Sequence, residues 1–275
     1  MPIPGPGEAL VEVRAAALTA GERAWPRHWP AIPSHEVSGV ISELGDGTIG
    51  AHVGEEVFGL INFDLDGAAA EYVAVPAADL AAKPAGLDHV SAASMTLAPL
   101  TAWQALVDHG HVQAGQRVLI NGAAGGVGSY AVQLASALGA TVTAVANGTD
   151  ADYVRALGAD VVIDNAARDG TTLDGTIDLI IDLTGELPWH NLREGGVMIG
   201  IANEPSADEA RRHRVRSTFF IVEPDGPELA HLAKLADAGQ LTATASQLFS
   251  LDQAEEAFDV LDHHHTRGKL VFSVR

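Results

Sequence analysis

The adjacent residues His35 and Glu36, in the stretch AIPSHEVSGV, combine an imidazole and a carboxylate just ahead of an apolar run. Both side chains are common zinc ligands, and a catalytic zinc needs three protein ligands plus an open position. The chain has no cysteine, which excludes thiolate metal sites and a cysteine nucleophile. The run 263–265 is three consecutive histidines. Such residues do not converge on one ion from a helix, so we interpret the run as an exposed helix end.

A more specific signal is the glycine-rich stretch RVLINGAAGGVGSYAVQLASALGATVTAVAN, residues 117–147. An apolar strand leads into a cluster of glycines, a helix opens there, and a second strand follows. Gly122 allows a tight turn, Gly125 lets the backbone approach a pyrophosphate, and Gly128 permits close packing of helix on strand. The pattern predicts a dinucleotide site; the alternative is a glycine-rich turn without a ligand.

The end of the second predicted strand bears on which dinucleotide binds. An NAD-binding fold usually has Asp or Glu there to hold the ribose 2′-hydroxyl, whereas this strand ends in Asn147, Gly148 and Thr149. The lack of an acid favours NADPH, because Asn147 and Thr149 can hydrogen-bond a phosphate. They cannot neutralise it, and Asp150 and Asp152 follow closely, so NADH remains the alternative.

The chain divides into two regions that differ in their hydrophobic patterns. From Glu8 to about Pro76, short alternating segments broken by Gly and Pro predict strands of an antiparallel sheet or barrel. From about Val90 onward, apolar strands alternate with amphipathic helices, which predicts βαβ units and a parallel sheet. The stretch 90–109 is predicted to be helical with a break at Pro99.

The end of the chain, RGKLVFSVR, predicts a strand that returns to the first, β-rich domain. We therefore expect an α/β protein with one domain formed by residues 1–92 and 242–275 and another by residues 93–241. The formal charge of −20 argues against nucleic-acid and anionic-membrane partners, which need clustered Lys and Arg. No bilayer-length apolar run or secretion signal is present, so a cytoplasmic location is expected.

Several stretches together resemble the zinc-independent quinone oxidoreductase branch of the medium-chain dehydrogenases/reductases. They include IPSHEVSGVISELGDG, AAEYVAVPAADLAAKPAGL, APLTAWQALVDHGHVQAGQRVLINGAAGGVGSYAVQLA and RGKLVFSV. The resemblance implies a GroES-like β-rich catalytic domain plus a Rossmann domain with a doubly wound parallel sheet. It implies hydride transfer from NADPH, or alternatively NADH, to a quinone or to the activated C=C of an enone. A homodimer paired through GGVMIGIAN and STFFIVEP is also implied.

The resemblance also assigns site residues. Thr19 stands where zinc enzymes have a Cys ligand, beside the nicotinamide, so no metal is expected. Thr101 matches a residue at the carboxamide end of the cofactor; both threonines are candidate hydroxyl donors, and His35 is a candidate proton source. The implied cofactor-binding residues are Gly122, Ala124, Gly125, Gly126, Val127, Asn147, Thr149, Asn165, Thr184, Phe220, Ile221, Arg267 and Lys269. Asn165 replaces a common Tyr, and Thr149 replaces a common Arg or Lys, which weakens the prediction of NADPH.

Two other functions remain open at this level. One is a dedicated biosynthetic enoyl or ketone reductase of a secondary-metabolite pathway, which has the same fold and cofactor. The other is a catalytically silent NADPH-binding sensor or partner protein. Cofactor titration beside a turnover assay separates these alternatives, because a sensor binds the cofactor without consuming it.

Overall fold

The structure, a computed structural model, describes residues 1–25, 30–166, 173–186 and 188–274. The chain forms two compact units, the first made of Met1–Leu100 with Glu223–Arg275 and the second of Thr101–Val222. These boundaries differ from the predicted ones at 92/93 and 241/242. The second boundary lies earlier than predicted because the helix that begins at Gly226 belongs to the first unit. A Cβ on Gly226 would stand 2.3 Å from the carbonyl oxygen of Ala78, so this helix lies against the first unit.

The described residues form strands and helices that are numbered here in chain order. The strands are β1 (Glu8–Leu18), β2 (Glu36–Leu44), β3 (Glu56–Leu60), β4 (Tyr72–Pro76), β5 (Leu80–Ala82), β6 (Arg117–Asn121), β7 (Thr141–Ala146), β8 (Val161–Asp164), β9 (Ile177–Asp182), β10 (Leu192–Gly200), β11 (Arg216–Phe219), β12 (Ala245–Ser250) and β13 (Lys269–Ser273). The α-helices are α1 (His89–Ala93), α2 (Leu97–Trp103), α3 (Gly126–Ala137), α4 (Ala151–Ala156), α5 (Ala207–His213), α6 (Gly226–Asp237) and α7 (Ala254–His263). None of the helices described here has both the length and the apolar character needed to cross a membrane.

The first unit is built on a mixed sheet in the order β12-β13-β1-β2-β3-β5, with β4 also paired to β1. Alternating apolar residues of β1, such as Val11 and Val13, are buried in one core with Phe272 of β13. Strand β13 runs antiparallel to β1, with Leu18 opposite Leu270. The predicted return of the final strand to the β-rich domain is therefore confirmed.

The second unit is built on a sheet in the order β11-β10-β9-β6-β7-β8, in which every adjacent pair is parallel. Its central strand β6 is apolar and buried from Val118 to Ile120, as expected for a strand covered on both faces. The strand order is that of a doubly wound Rossmann sheet. The predicted fold class is thus confirmed, and the carboxyl ends of β6, β7 and β8 share one edge of the sheet.

The predicted helix break at Pro99 is wrong. The chain leaves the helical conformation between α1 and α2, around Ser94–Thr96, and Pro99 lies in the first turn of α2. Backbone N–H groups in the first turn of a helix have no intrahelical partner, so a proline is tolerated there. Helix α2 continues directly into a π-helical segment, Gln104–His109.

Candidate active site

A buried ion pair lies at the end of β1 in the first unit. Glu36 opens β2 and Lys269 opens β13, and β1 pairs with both strands, with Ala17 opposite Glu36 and Leu18 opposite Leu270. The Lys269 Nζ is 2.5 Å from the Glu36 Oε1, and the two side chains are only 4% and 1% exposed. Two distant segments of the chain therefore place opposite charges side by side in a site with almost no water.

Thr19, the residue after β1, joins this pair to the surface of the unit. Its hydroxyl accepts a hydrogen bond from the Lys269 Nζ at 2.8 Å and donates to the Glu36 Oε1 at 2.9 Å. Unlike the ion pair, Thr19 is half-buried. The other carboxylate oxygen of Glu36 accepts from the Thr96 hydroxyl at 2.9 Å and from the Leu97 N–H at 3.2 Å. Every polar contact within this group is therefore charge-assisted.

The residues present do not fit a zinc ion. Within the described part of the chain, no group of three His, Cys, Asp or Glu side chains is arranged to hold a metal. The carboxylate of Glu36 already receives the Lys269 ammonium and three further donors. A dication at Glu36 would be repelled by that ammonium, which lies 2.5 Å from the carboxylate oxygen. Thr19 offers only a neutral hydroxyl at the position where a third Cys, His, Asp or Glu ligand would be needed.

His35 is buried among aromatic rings. Its ring centroid lies 5.3 Å from that of Phe63 and 6.1 Å from that of Trp25, and the Trp25–Phe63 centroids are 4.9 Å apart. The two contacts with Phe63 are edge-to-face, an arrangement that aromatic quadrupoles favour. The structure thus gives His35 an apolar, π-rich surrounding beside the ion pair's Glu36.

Glu22 supports the loop that carries Thr19 and His35. It lies in a short 3-10 turn, Glu22–Ala24, and is buried. Its carboxylate accepts hydrogen bonds from the backbone N–H groups of Ser34 and Thr19. Burial raises the pKa of Glu22, although these two N–H groups oppose the rise.

In the second unit, the glycine turn after β6 has the geometry that a dinucleotide requires. Gly122 has φ of 86°, which favours glycine. A Cβ on Gly128 would stand 2.2 Å from the Gly122 carbonyl oxygen, whereas a Cβ on Gly125 would have only that oxygen, at 3.5 Å, within 4 Å. Gly125 is also the N-cap of α3, so no cap side chain binds the first N–H groups of this 12-residue helix. These residues fit a pyrophosphate.

Thr184 and Ala124 also lie at this turn. A Cβ on Gly122 would stand 3.1 Å from the Thr184 Cγ2, and the Thr184 hydroxyl is 2.6 Å from the Asn121 Nδ2. Asn121 and the fully buried Asp182, from the ends of β6 and β9, are themselves hydrogen-bonded at 2.5 Å. This side-chain network fixes the shape of the turn, and glycine spacing alone does not indicate it.

The other predicted cofactor residues lie in different places. Asn147 and Thr149 follow β7 and Asn165 follows β8, all three exposed at the carboxyl edge of the parallel sheet. Gly126 and Val127 open α3. Phe220 and Ile221 follow the edge strand β11; the Phe220 ring lies 4.3 Å from that of His109, and Ile221 is exposed.

Arg267 and Lys269 are only two residues apart in sequence but differ in exposure and in contacts. Arg267 is exposed, whereas Lys269 is held by Glu36 and Thr19. Thr101 is buried in α2. Sequence reasoning treated Lys269 as a cofactor contact and gave Glu36 no role without zinc. The available signal was that both charged residues open apolar strands.

Comparisons with known proteins agree with both units. A family model described as an alcohol dehydrogenase GroES-like domain matches residues 5–85, and one described as a zinc-binding dehydrogenase matches residues 157–272. The mitochondrial NAD(P)H oxidoreductase RTN4IP1 of Danio rerio is 30% identical over 326 residues, which cover 98% of this chain and 84% of that protein. The chain belongs to the medium-chain dehydrogenase/reductase superfamily.

Two further similar proteins bear on the function of this chain. The solved quinone oxidoreductase from Coxiella burnetii has a TM-score of 0.89 at 29% identity, over 100% of this chain and 93% of that one. The spectinabilin polyketide synthase system protein NorB of Streptomyces orinoci is 34% identical over 98% of this chain but only 13% of its own length. As a medium-chain dehydrogenase/reductase, the chain is an oxidoreductase, and its glycine turn suits a nicotinamide cofactor.

Proposed function

We propose that this oxidoreductase transfers a hydride from a reduced nicotinamide dinucleotide to a quinone, or to the activated C=C of an enone, without a metal. The observation that carries the proposal is the half-buried Thr19 hydroxyl, which accepts a hydrogen bond of 2.8 Å from the buried Lys269 ammonium. Likeness to a quinone oxidoreductase over the whole chain supports it. Zinc independence is supported by the engagement of Glu36 with Lys269.

The chain's own residues supply what this reaction needs besides the hydride. A bound reduced nicotinamide supplies the hydride. When a quinone or enone accepts it, negative charge develops on the carbonyl oxygen. The Thr19 hydroxyl then turns its single proton from the Glu36 Oε1 to that oxygen, and Lys269 makes the hydroxyl a stronger donor because it donates to the Thr19 oxygen. One proton then passes from Thr19 to the substrate and Lys269 replaces it; after the product leaves, solvent returns a proton to Lys269 through the half-buried Thr19 hydroxyl.

The aromatic cluster Trp25, His35 and Phe63 supports a flat, apolar substrate. Faces and edges of aromatic rings contact quinone-like rings favourably and exclude water from them. Exclusion of water strengthens the electrostatic effect of Lys269 and Thr19 on the developing oxyanion. His35 remains the predicted alternative proton source, and Thr101 the second candidate hydroxyl.

Three other features of the proposal rest on prediction. The tip of β7, with Asn147 and Thr149, predicts NADPH, with NADH as the alternative. A homodimer is proposed through the edge strand β11, where Phe219 and the following Ile221 are 41% and 65% exposed. A cytoplasmic location also stays a prediction, and relatives of this chain are named as mitochondrial or chloroplastic.

A second candidate function is a dedicated biosynthetic reductase. The specific observation is the 34% identity to a segment of a polyketide synthase system protein, which exceeds the 30% identity to the stand-alone NAD(P)H oxidoreductase. Such an enzyme has the same cofactor turn and differs in its substrate. A catalytically silent sensor remains the alternative if cofactor binds without turnover.

The test is oxidation of NADH and NADPH, followed by nicotinamide absorbance, with a panel of quinones and enones. Wild-type protein should oxidise at least one dinucleotide, and Thr19→Val should lower kcat by about 10²–10³-fold, as loss of an oxyanion donor does. Thr48→Val is the matched control, because the Thr48 hydroxyl donates to the backbone carbonyls of Glu8 and Gly45, away from the ion pair. Dinucleotide binding without turnover on any acceptor would reject the proposal in favour of the sensor.

A further inference from the structure

An acidic side chain stands at the tip of β7, although β7 itself does not supply one. Asp164 is the last residue of β8 and pairs in parallel register with Ala146, the last residue of β7. Its carboxylate reaches over the loop after β7, because a Cβ on Gly148 would stand 2.6 Å from the Asp164 Oδ2. The other carboxylate oxygen, Oδ1, accepts a hydrogen bond from the Ala166 N–H at 3.0 Å, which fixes the orientation of the group.

In a Rossmann unit, this position contacts the adenosine ribose of the dinucleotide. The end of the second strand of the βαβ motif is where an acid holds the 2′-hydroxyl of the adenosine ribose. Here β6, the glycine turn, α3 and β7 form that motif, and the acid comes from the third strand. Gly148 leaves the space that the carboxylate occupies, so a larger residue there would displace it.

We infer that Asp164 makes this protein selective for NADH over NADPH by binding the ribose 2′-hydroxyl and repelling a 2′-phosphate. The inference rests on the proposed dinucleotide chemistry and runs against the sequence-based prediction of NADPH. A 2′-phosphate brings about −1.5 to −2 charges, which need Arg or Lys in place of an acid.

The charges around Asp164 also favour NADH over NADPH. Between residues 118 and 167 the sequence has a single Arg or Lys, Arg155. Its guanidinium lies 3.0 Å from the Asp152 carboxylate, so its charge is already balanced. The next cation along the chain, Arg168, lies outside the described residues. Asn147 and Thr149 are neutral, so the exposed Asp164 and the buried Asp150 make the local potential negative within the described tip.

The test is equilibrium titration of NADH and NADPH into the full-length protein, without acceptor, followed by nicotinamide fluorescence. Wild type should bind NADH at least about tenfold more tightly than NADPH. Asp164→Asn keeps the acceptor for Ala166 but removes the charge, and should reduce this ratio to near one; Asp164→Ser should do the same. The control Asp174→Asn removes an equal charge from an exposed turn before β9 and should leave the ratio unchanged.

Each outcome is decisive. Equal or tighter binding of NADPH by wild type, or an unchanged ratio in both Asp164 variants, would overturn the inference. Failure of both dinucleotides to bind would overturn it together with the proposed function. Selective NADH binding that shifts in Asp164→Asn, combined with no turnover on quinones or enones, would retain the inference and reject the proposed function alone.

Discussion

Replacing Lys269 by Met removes the cation from the buried ion pair while keeping a side chain of similar length. Glu36 would then lose its donor at 2.5 Å but keep the hydroxyls of Thr19 and Thr96 and the N–H of Leu97. Removing one partner of a buried ion pair costs about 3–5 kcal/mol. Because three donors remain, we expect Lys269→Met to lower the free energy of unfolding by about 3 kcal/mol.

The double variant Lys269→Met/Glu36→Gln separates the charge from the packing. It removes the buried anion; the amide oxygen of the introduced glutamine can accept from Thr96 and Leu97, and its NH2 group can donate to the Thr19 hydroxyl oxygen. We expect it to lose only about 1–2 kcal/mol relative to wild type, so it should be more stable than Lys269→Met alone. A double variant that is more stable than the single variant requires an uncompensated charge in the single variant. Lost contacts alone would make the double variant the less stable of the two.

Urea unfolding, followed by far-UV circular dichroism and analysed with a common m-value, measures these differences. The control is Arg14→Met, which breaks a half-exposed pair between Arg14 and Glu12, 2.9 Å apart on β1. That change should cost about 0–1 kcal/mol. If Lys269→Met loses no more stability than Arg14→Met, or if the double variant is the less stable of the two Lys269→Met proteins, the reasoning is wrong.

Three further predictions concern metal, the glycine turn and pH. Dialysis against a chelator and addition of zinc should both leave turnover unchanged, because the carboxylate at the zinc position is held by an ammonium; zinc-restored activity would contradict this. Gly128→Val should destabilise the protein by about 1–3 kcal/mol, because its Cβ would stand 2.2 Å from the Gly122 carbonyl oxygen. Gly125→Ala should keep stability in urea unfolding yet weaken dinucleotide binding in the fluorescence titration. Burial lowers the pKa of His89, so the unfolded chain binds this proton more tightly and the free energy of unfolding should fall as pH drops below about 6.5. His89→Gln should flatten that decline in urea titrations at several pH values, whereas His52→Gln, at an exposed site, should retain it; equal slopes in both variants would refute the assignment.

Local patterns predicted the parts of the site that depend on neighbours in sequence. The turn at Gly122 and the start of α3 follow from glycine spacing between an apolar strand and a helix, because backbone conformation and close packing there admit little else. The helix break was misplaced for a local reason too, since Pro99 has opposite effects in the first turn and in the interior of a helix.

The parts that the sequence did not reveal depend on strand register. Lys269 meets Glu36 across a separation of 233 residues, and only the pairing of β1 with both neighbours brings the two together. Asp164 reaches the nucleotide edge from the third strand, whereas the sequence pattern directs attention to the end of the second. Single-sequence patterns report the period of a strand but not its partners.

The sheet of the first unit, with strands from both ends of the chain, sets an order of events during protein synthesis. The second unit is one continuous segment, Thr101–Val222, and can fold on the ribosome as soon as it has emerged. Glu36, in contrast, cannot form its ion pair until Lys269 has been synthesised, 233 residues later. At typical translation rates this delay is roughly 10–50 s. Throughout that interval the nascent β1 has an open edge and Glu36 lacks its cation. Nascent chains should therefore recruit chaperones through β1 and β2 until β13 is released.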